Sequence, residues 1–116
     1  MANITATELQ LLECFGVEPL LLDAAIPWCD NDAAYSVEVD GLSVSFAVRP
    51  SYRDVRIVVN FGDRRMLEFN ATSVSDLQVI DEPGVDAIEV LMNEQSWLRV
   101  QLRPAFAITQ GFVAEG

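Results

Sequence analysis

The N-terminal part of the chain carries a helical pattern of apolar residues. These residues recur at the three- and four-residue spacing that places side chains on one helix face. They are Leu9, Leu11, Leu12 and Phe15. Thr5 and Glu8 fit a capping box, in which the two side chains accept hydrogen bonds from backbone N–H groups at the helix start. The pattern predicts an amphipathic helix over residues 5–15, ended by Gly16 in the left-handed conformation.

Prolines interrupt residues 17–33 and argue against a continuous helix in that stretch. They stand at positions 19 and 27. We expect an extended segment over Leu20–Ile26, followed by a loop that carries Trp28 and the polar cluster Asp30-Asn31-Asp32.

From residue 34 onward, apolar and polar residues alternate with a period of two, which is typical of strands with one buried face. Asp40-Gly41 is a strong hairpin signal, and Gly62-Asp63 and 81–84 are further turns. The predicted strands cover residues 35–40, 42–49, 55–61, 66–70, 74–80, 87–92, 97–103 and 106–113.

These strands define the expected fold class. Seven to eight short antiparallel strands with regularly spaced turns predict a mainly β protein, either a β-sandwich or an open barrel. The N-terminal helix is expected to pack across an open end or an edge. A length of 116 residues fits a single domain over 1–116.

Charge narrows the function classes. The chain has 18 acidic residues, seven arginines, no lysine and no histidine, which gives a formal net charge of -11. Such a chain repels nucleic-acid phosphates and anionic lipid surfaces, so we expect neither as a partner. Without histidine it lacks the usual general base and the commonest metal ligand. We therefore predict no enzyme activity, no catalytic residues, no cofactor and no bound metal.

The charge is also unevenly distributed along the chain. Residues 1–48 contain eight acids and no base, whereas five of the seven arginines fall within 49–65. We expect these arginines to pair with the acidic N-terminal part rather than to form a nucleic-acid patch. Whether that pairing leaves an acidic binding face is open at this stage.

The two cysteines predict a reduced, cytoplasmic protein. Cys14 falls among apolar helix residues and should lie in the core, whereas Cys29 should be more exposed. Neither matches a catalytic signature, and no signal peptide is visible.

A calcium site is one alternative function for the acidic loops. Loops at one end of a sandwich can bring carboxylates together around calcium. The candidate ligands are Asp30, Asp32, Asp81, Glu82 and Asp86. The predicted function would then be a small-molecule- or calcium-binding sandwich.

A protein-binding face is the leading prediction. Tryptophan anchors surrounded by charged side chains are typical of protein–protein interfaces. The candidate residues are Trp28, Asp30, Asp32, Glu38, Asp40 and Trp97. Trp28 would be the anchor and the acids would supply charge, while Trp97 shares the polar face of its strand with Arg99. The alternatives are that Trp28 covers the core and that Trp97 covers a sheet edge or is turned inward by a bulge.

Three segments resemble a family of predicted bacterial polymorphic-toxin immunity proteins. They are Phe15-Gly16-x-x-Pro19-x-x-x-Asp23-Ala24-x-Ile26, Leu67-Glu68-Phe69 with Val74-Ser75-Asp76-Leu77, and Val100–Arg103 followed by Pro104-Ala105-Phe106. Leu22 and Ala25 depart from the family, which usually has histidine and an acid there. The resemblance implies an all-β immunity protein that sequesters a toxin.

The predicted function is therefore a non-enzymatic acidic protein-binding domain, an immunity protein or inhibitor of a basic toxin. A second alternative, besides the calcium-binding sandwich, is a structural subunit that forms a homodimer or larger assembly through a sheet edge.

Overall fold

The computed structural model describes residues 4–112, which form one helix and nine strands in two antiparallel sheets. Helix α1 spans Glu8–Phe15. The first sheet has the order β1-β2-β3-β4-β5 and the second has the order β6-β7-β8-β9. The strands of the first sheet are Leu20–Leu21, Ala33–Val39, Leu42–Arg49, Asp54–Phe61 and Arg64–Ala71. Those of the second are Asp76–Val79, Asp86–Leu91, Ser96–Arg103 and Ala107–Phe112.

The two sheets share one hydrophobic core, which confirms the predicted mainly β fold. Alternate residues of both sheets, such as Ile57, Leu77 and Val90, are buried in a single cluster. The described strands form two separate sheets rather than a closed barrel. Helix α1 packs against β2 of the first sheet and against β6 and β7 of the second, and it buries Leu11, Cys14 and Phe15.

Strand positions follow the alternating pattern closely. All eight predicted strands form, and most bounds shift by one or two residues, although β6 is shorter than predicted. Position 113, where the last predicted strand ends, lies outside the described residues. At the hairpin between β2 and β3, Asp40 and Gly41 have φ angles of 51° and 81°. Positive φ at both central residues is the geometry of the predicted tight turn.

The extended segment is shorter than predicted. Only Leu20–Leu21 pairs with β2, and this two-residue strand raises the count to nine. The chain then turns, with the N–H of Ile26 donating to the carbonyl of Asp23, and a 3₁₀ helix follows at Trp28–Asp30. The prediction of extended backbone to Ile26 was wrong because local hydrogen bonds close a turn there.

The helix begins later than predicted. Thr7, rather than Thr5, caps the helix: its hydroxyl accepts from the N–H of Gln10 at 3.1 Å, and the Gln10 side chain accepts from the N–H of Thr7 at 3.0 Å. The predicted box of Thr5 and Glu8 was therefore wrong. Gly16 ends the helix at φ 71°, as predicted.

Thr5 instead joins the N-terminus to β6. Its N–H donates to Oδ1 of Asp76 at 2.7 Å, and its hydroxyl donates to Oδ2 at 2.5 Å. Burial opposes ionisation of Asp76, but hydrogen bonds from Thr5, Gln78 and Leu77 outweigh it and lower the pKa of the carboxyl. The ionised carboxylate thus stabilises the folded chain.

The lowered pKa of Asp76 predicts a loss of stability in acid. Because the folded-state pKa lies below the unfolded value, this contribution is present above the unfolded pKa and disappears as pH falls through the folded one. Asp76→Asn should lower the urea midpoint at pH 7 and reduce the difference between pH 7 and pH 3. Asp63→Asn, in an exposed turn, is the control. If the urea midpoints of wild type and Asp76→Asn changed equally with pH, the ionised Asp76 carboxylate would not be a source of the acid-sensitive stability.

Candidate protein-binding surface

Asp32 lies at the centre of an ion-pair cluster on the first sheet. Its carboxylate accepts from Nε of Arg49 at 3.2 Å and from Nη2 of Arg56 at 2.9 Å. The strand register explains the cluster, since Asp32 precedes β2 while Arg49 ends β3 and Arg56 lies on β4. The predicted pairing of the arginine stretch with the acidic N-terminal part is confirmed for these two arginines.

The other arginines mostly bind groups outside the acidic N-terminal part. Arg53 donates to the carbonyls of Val74 and Ser75, and Arg65 pairs with Glu68. Arg99 and Arg103 pair with acids of β7. Within residues 4–112, Asp32 is therefore the one acid before position 49 that forms an ion pair. The acidic excess of α1 and of the following loop remains without a basic partner in the described chain.

Trp28 lies against the core at the start of the 3₁₀ helix. Its Nε1–H donates to the hydroxyl of Tyr35 at 3.0 Å, and its ring is half-buried. Burial raises the pKa of Tyr35 more than the hydrogen bond from Trp28 lowers it. This placement fits the alternative in which Trp28 covers the core, and its role as an interface anchor stays a prediction.

The remaining predicted acids have different surroundings. Asp30 is exposed in the 3₁₀ helix, and Glu38 is exposed on β2 beside a groove of about 650 Å³ that Phe15 also lines. One oxygen of the Asp40 carboxylate already accepts a hydrogen bond, from the N–H of Phe106 at 2.7 Å. That bond ties the β2–β3 hairpin to the loop between β8 and β9. The role of these three acids in binding a partner stays a prediction.

Trp97 lies on β8 in the second sheet, apart from the sheet that carries the predicted acids. It stands opposite Gly111 of the edge strand β9. A Cβ atom at Gly111 would lie 2.3 Å from Cζ2 of the indole, so the ring rests directly on the glycine. This contact fits the alternative in which Trp97 covers a sheet edge.

The candidate calcium ligands do not converge. Among the residues that the structure describes, no group of three or more carboxylate or cysteine side chains is placed to hold a metal ion. Asp32 is bound to its two arginines, and Asp86 pairs with Arg103. The convergence that would make a calcium-binding sandwich is therefore not found in these residues.

Neither cysteine forms a disulfide. Cys14 is buried and Cys29 is exposed, as predicted. Burial, with a smaller effect of Asp86, raises the pKa of Cys14 to about 12 and outweighs the opposite effect of Arg103. The Cys14 thiol therefore stays protonated at neutral pH and is a poor nucleophile.

Sequence reasoning missed a set of exposed leucines near the N-terminus. Leu9, Leu20 and Leu22 expose 62%, 78% and 76% of their surface. The signal was present as three consecutive leucines in a segment predicted to be extended, since successive side chains of a strand point to opposite faces. In the described chain, no helix is long and apolar enough to cross a bilayer.

The same architecture occurs in a solved structure titled as a contact-dependent growth inhibition toxin–immunity protein complex from Klebsiella pneumoniae 342. A chain of that complex superposes with a TM-score of 0.72 and 20% sequence identity, over 93% of this chain and 95% of that one. The two chains share a fold. No protein-family model and no curated protein sequence matches the chain. The resemblance to immunity proteins of polymorphic toxins is confirmed at the level of the fold.

Proposed function

We propose that this chain is a non-enzymatic immunity protein that binds and neutralises a toxin. The observation that carries the proposal is the structural match over nearly the whole of both chains. A chain that shares its fold with one member of a toxin–immunity complex is suited to bind another protein, as that member does.

Chemistry favours the immunity role over the toxin role. The chain lacks histidine, and its buried cysteine is protonated at neutral pH. A net charge of -11 suits capture of a basic toxin, because complementary charge speeds association and excludes wrong partners. We place the protein in the cytoplasm, where an exposed free cysteine such as Cys29 stays reduced.

Coexpression tests the proposal. We expect the open reading frame beside this gene to encode a toxin that arrests the growth of a bacterial host, and coexpression of this chain should restore colony counts to the level without toxin. An unrelated toxin is the control, and it should not be neutralised. The purified pair should form a 1:1 complex by light scattering.

Three outcomes would contradict the immunity role. Growth arrest by this chain alone would make it the toxin. A concentration-independent homodimer that does not bind the neighbouring protein would favour the assembly subunit. A calcium-dependent rise in melting temperature without toxin binding would favour the calcium-binding sandwich.

A further inference from the structure

An apolar surface lies where α1 meets the edge of the first sheet. It consists of five leucines, which we call the leucine edge. They are Leu9, Leu12, Leu20, Leu21 and Leu22. Three of them expose more than 60% of their surface, although leucine is among the residue types most often buried. Single exposed leucines are ordinary, but a contiguous group of them marks an interaction surface.

The leucine edge is grooved. A groove of about 350 Å³ lies between α1 and β1, and it is lined by Glu8, Leu9, Leu12, Glu18, Pro19 and Leu21. A second groove of about 260 Å³ is lined by Leu20, Leu21, Leu22, Asp32, Ala34 and Arg56. Because Leu21 lines both, β1 forms a ridge between them. Apolar side chains of a partner could enter on either side of this ridge.

The charges around the leucine edge are acidic. Glu8 and Glu18 line the first groove, and Asp23 follows Leu22 directly. None of these three acids forms an ion pair within residues 4–112. The arginine of the second groove, Arg56, shares Asp32 with Arg49, so this ion-pair cluster carries one net positive charge. Set against Glu8, Glu18 and Asp23, it still leaves the charge beside the leucines negative, and a negative surface complements a basic partner.

Other exposed apolar side chains lack this combination. Phe61 and Met66 expose 58% and 60% of their surface, but they flank Arg64 and Arg65. The edge strand β9 exposes Ile108 and Phe112 and carries no charged residue. Asp63, in the turn after Phe61, likewise forms no ion pair within residues 4–112, but it adjoins Arg64 and Arg65, whereas the leucine edge has three such acids.

Side chains, rather than added strands, would make the contact at the leucine edge. The first sheet ends at β1, but this strand has only two residues. Very short edge strands are poor templates for pairing with another chain. The grooves and leucine side chains on both sides of β1 offer the larger contact area.

We propose that the leucine edge is the surface that docks the toxin. The partner's contact face would carry apolar side chains that fill the two grooves, ringed by lysine and arginine side chains that meet Glu8, Glu18 and Asp23. This inference rests on the proposed immunity function. It assigns that function to five leucines that were not candidates from the sequence, although Asp32, which was a candidate, lines the second groove.

Matched double variants test the surface. Leu20→Ser with Leu22→Ser removes two exposed leucines, and Phe61→Ser with Met66→Ser removes two apolar side chains of comparable exposure elsewhere. The probe is the protein encoded by the neighbouring open reading frame, which we expect to be the toxin. The leucine variant should raise its Kd by about tenfold or more, and the control should change it less than about threefold. Circular dichroism and melting curves should show both variants folded.

Two single charge reversals, one in α1 and one in the loop that follows it, provide a second test. Glu18→Lys changes the rim of the first groove, whereas Glu13→Lys changes an exposed acid that lines a different groove beside Cys14. Glu18→Lys should slow association at low salt, and Glu13→Lys should slow it less.

The outcomes separate the two proposals. If the wild-type chain fails to bind the neighbouring protein, the proposed function is overturned, and so is the assignment of the leucine edge as its docking surface. If the wild-type chain binds but the leucine variant binds equally well, only the docking surface is overturned. Weaker binding of the Phe61 and Met66 variant, with the leucine variant unaffected, would place the interface on the β4–β5 hairpin.

Discussion

Phe46→Ala should lower the free energy of unfolding by about 3–5 kcal/mol, which is the cost of removing a buried phenylalanine ring from a packed core. Phe46 on β3 is 1% exposed. Its ring centroid lies 5.3 Å from that of Phe15 on α1 and 6.2 Å from that of Tyr35 on β2. The substitution therefore removes one of the two ring contacts that join the helix to the first sheet, since Phe15 also stacks on Tyr35 at 5.2 Å. Urea denaturation measures the loss.

The matched control for Phe46 is an exposed phenylalanine of the same sheet. Phe61→Ala removes a ring that is 58% exposed at the end of β4. Its effect should be within about 0.5 kcal/mol, as for most surface substitutions. A loss below about 1 kcal/mol for Phe46→Ala would show that the stacked rings do not anchor the helix.

Much of this core could be predicted from the sequence. Alternation along β3 places Val44, Phe46 and Val48 on one face, and the structure buries all three. The helical spacing likewise marks Leu11 and Phe15, which are buried, but it also marks Leu9, which exposes 62% of its surface. Period and turn residues are local properties, so they determine the faces of elements without knowledge of the tertiary structure.

Choices between equivalent local signals could not be predicted. Thr5 with Glu8 and Thr7 with Gln10 both fit a capping box. The carboxylate of Asp76, which is 71 positions away in sequence, binds Thr5 and leaves Thr7 as the cap. The ion pairs of Asp32 depend in the same way on a register across three strands that no local pattern encodes.

The candidate site was predicted only in part. The acidic excess before position 49 is visible in the sequence, and the structure confirms that one of these acids is neutralised by arginines. Three consecutive leucines were the signal for the leucine edge in the sequence, but the exposure of Leu20 and Leu22 could not be predicted, because it depends on β1 being the last strand of its sheet. Composition indicates how many apolar residues exist, but not which ones the fold leaves uncovered.

Asn31→Asp should lower the free energy of unfolding by about 3 kcal/mol at pH 7, although it changes the side chain by one group. Asn31 is a buried polar residue, 3% exposed. Its amide nitrogen donates to the carbonyls of Asp23 and Ile26 at 2.6 and 3.1 Å. Its oxygen accepts from the N–H groups of Asp23 and Asp32 at 3.2 and 3.0 Å. The substituted carboxylate would place an anionic oxygen against two carbonyl oxygens that need a donor.

The pH dependence of this variant distinguishes repulsion from a packing defect. Burial and the facing carbonyls should raise the pKa of the substituted carboxyl above its unfolded value. The penalty is then fully present at neutral pH and is relieved in part as pH falls and the carboxyl is protonated, so the variant should recover part of the loss near pH 4 in urea denaturation. Recovery is incomplete because a protonated carboxyl has one O–H donor for two carbonyls. Asp30→Asn, at the exposed neighbouring position, is the control and should stay within about 0.5 kcal/mol of wild type.

Asn31 also connects the stability of the loop to the proposed docking surface. Its four hydrogen bonds fix the turn that begins at Asp23, immediately after Leu22 of the leucine edge. When the carboxylate is ionised, this turn should open before the sheets do, because the bonds that close it are local. Asn31→Asp should therefore weaken toxin binding at pH 7 under conditions in which the sheets remain folded. Unchanged binding in a variant with a loosened turn would show that the loop does not hold the leucine edge in place.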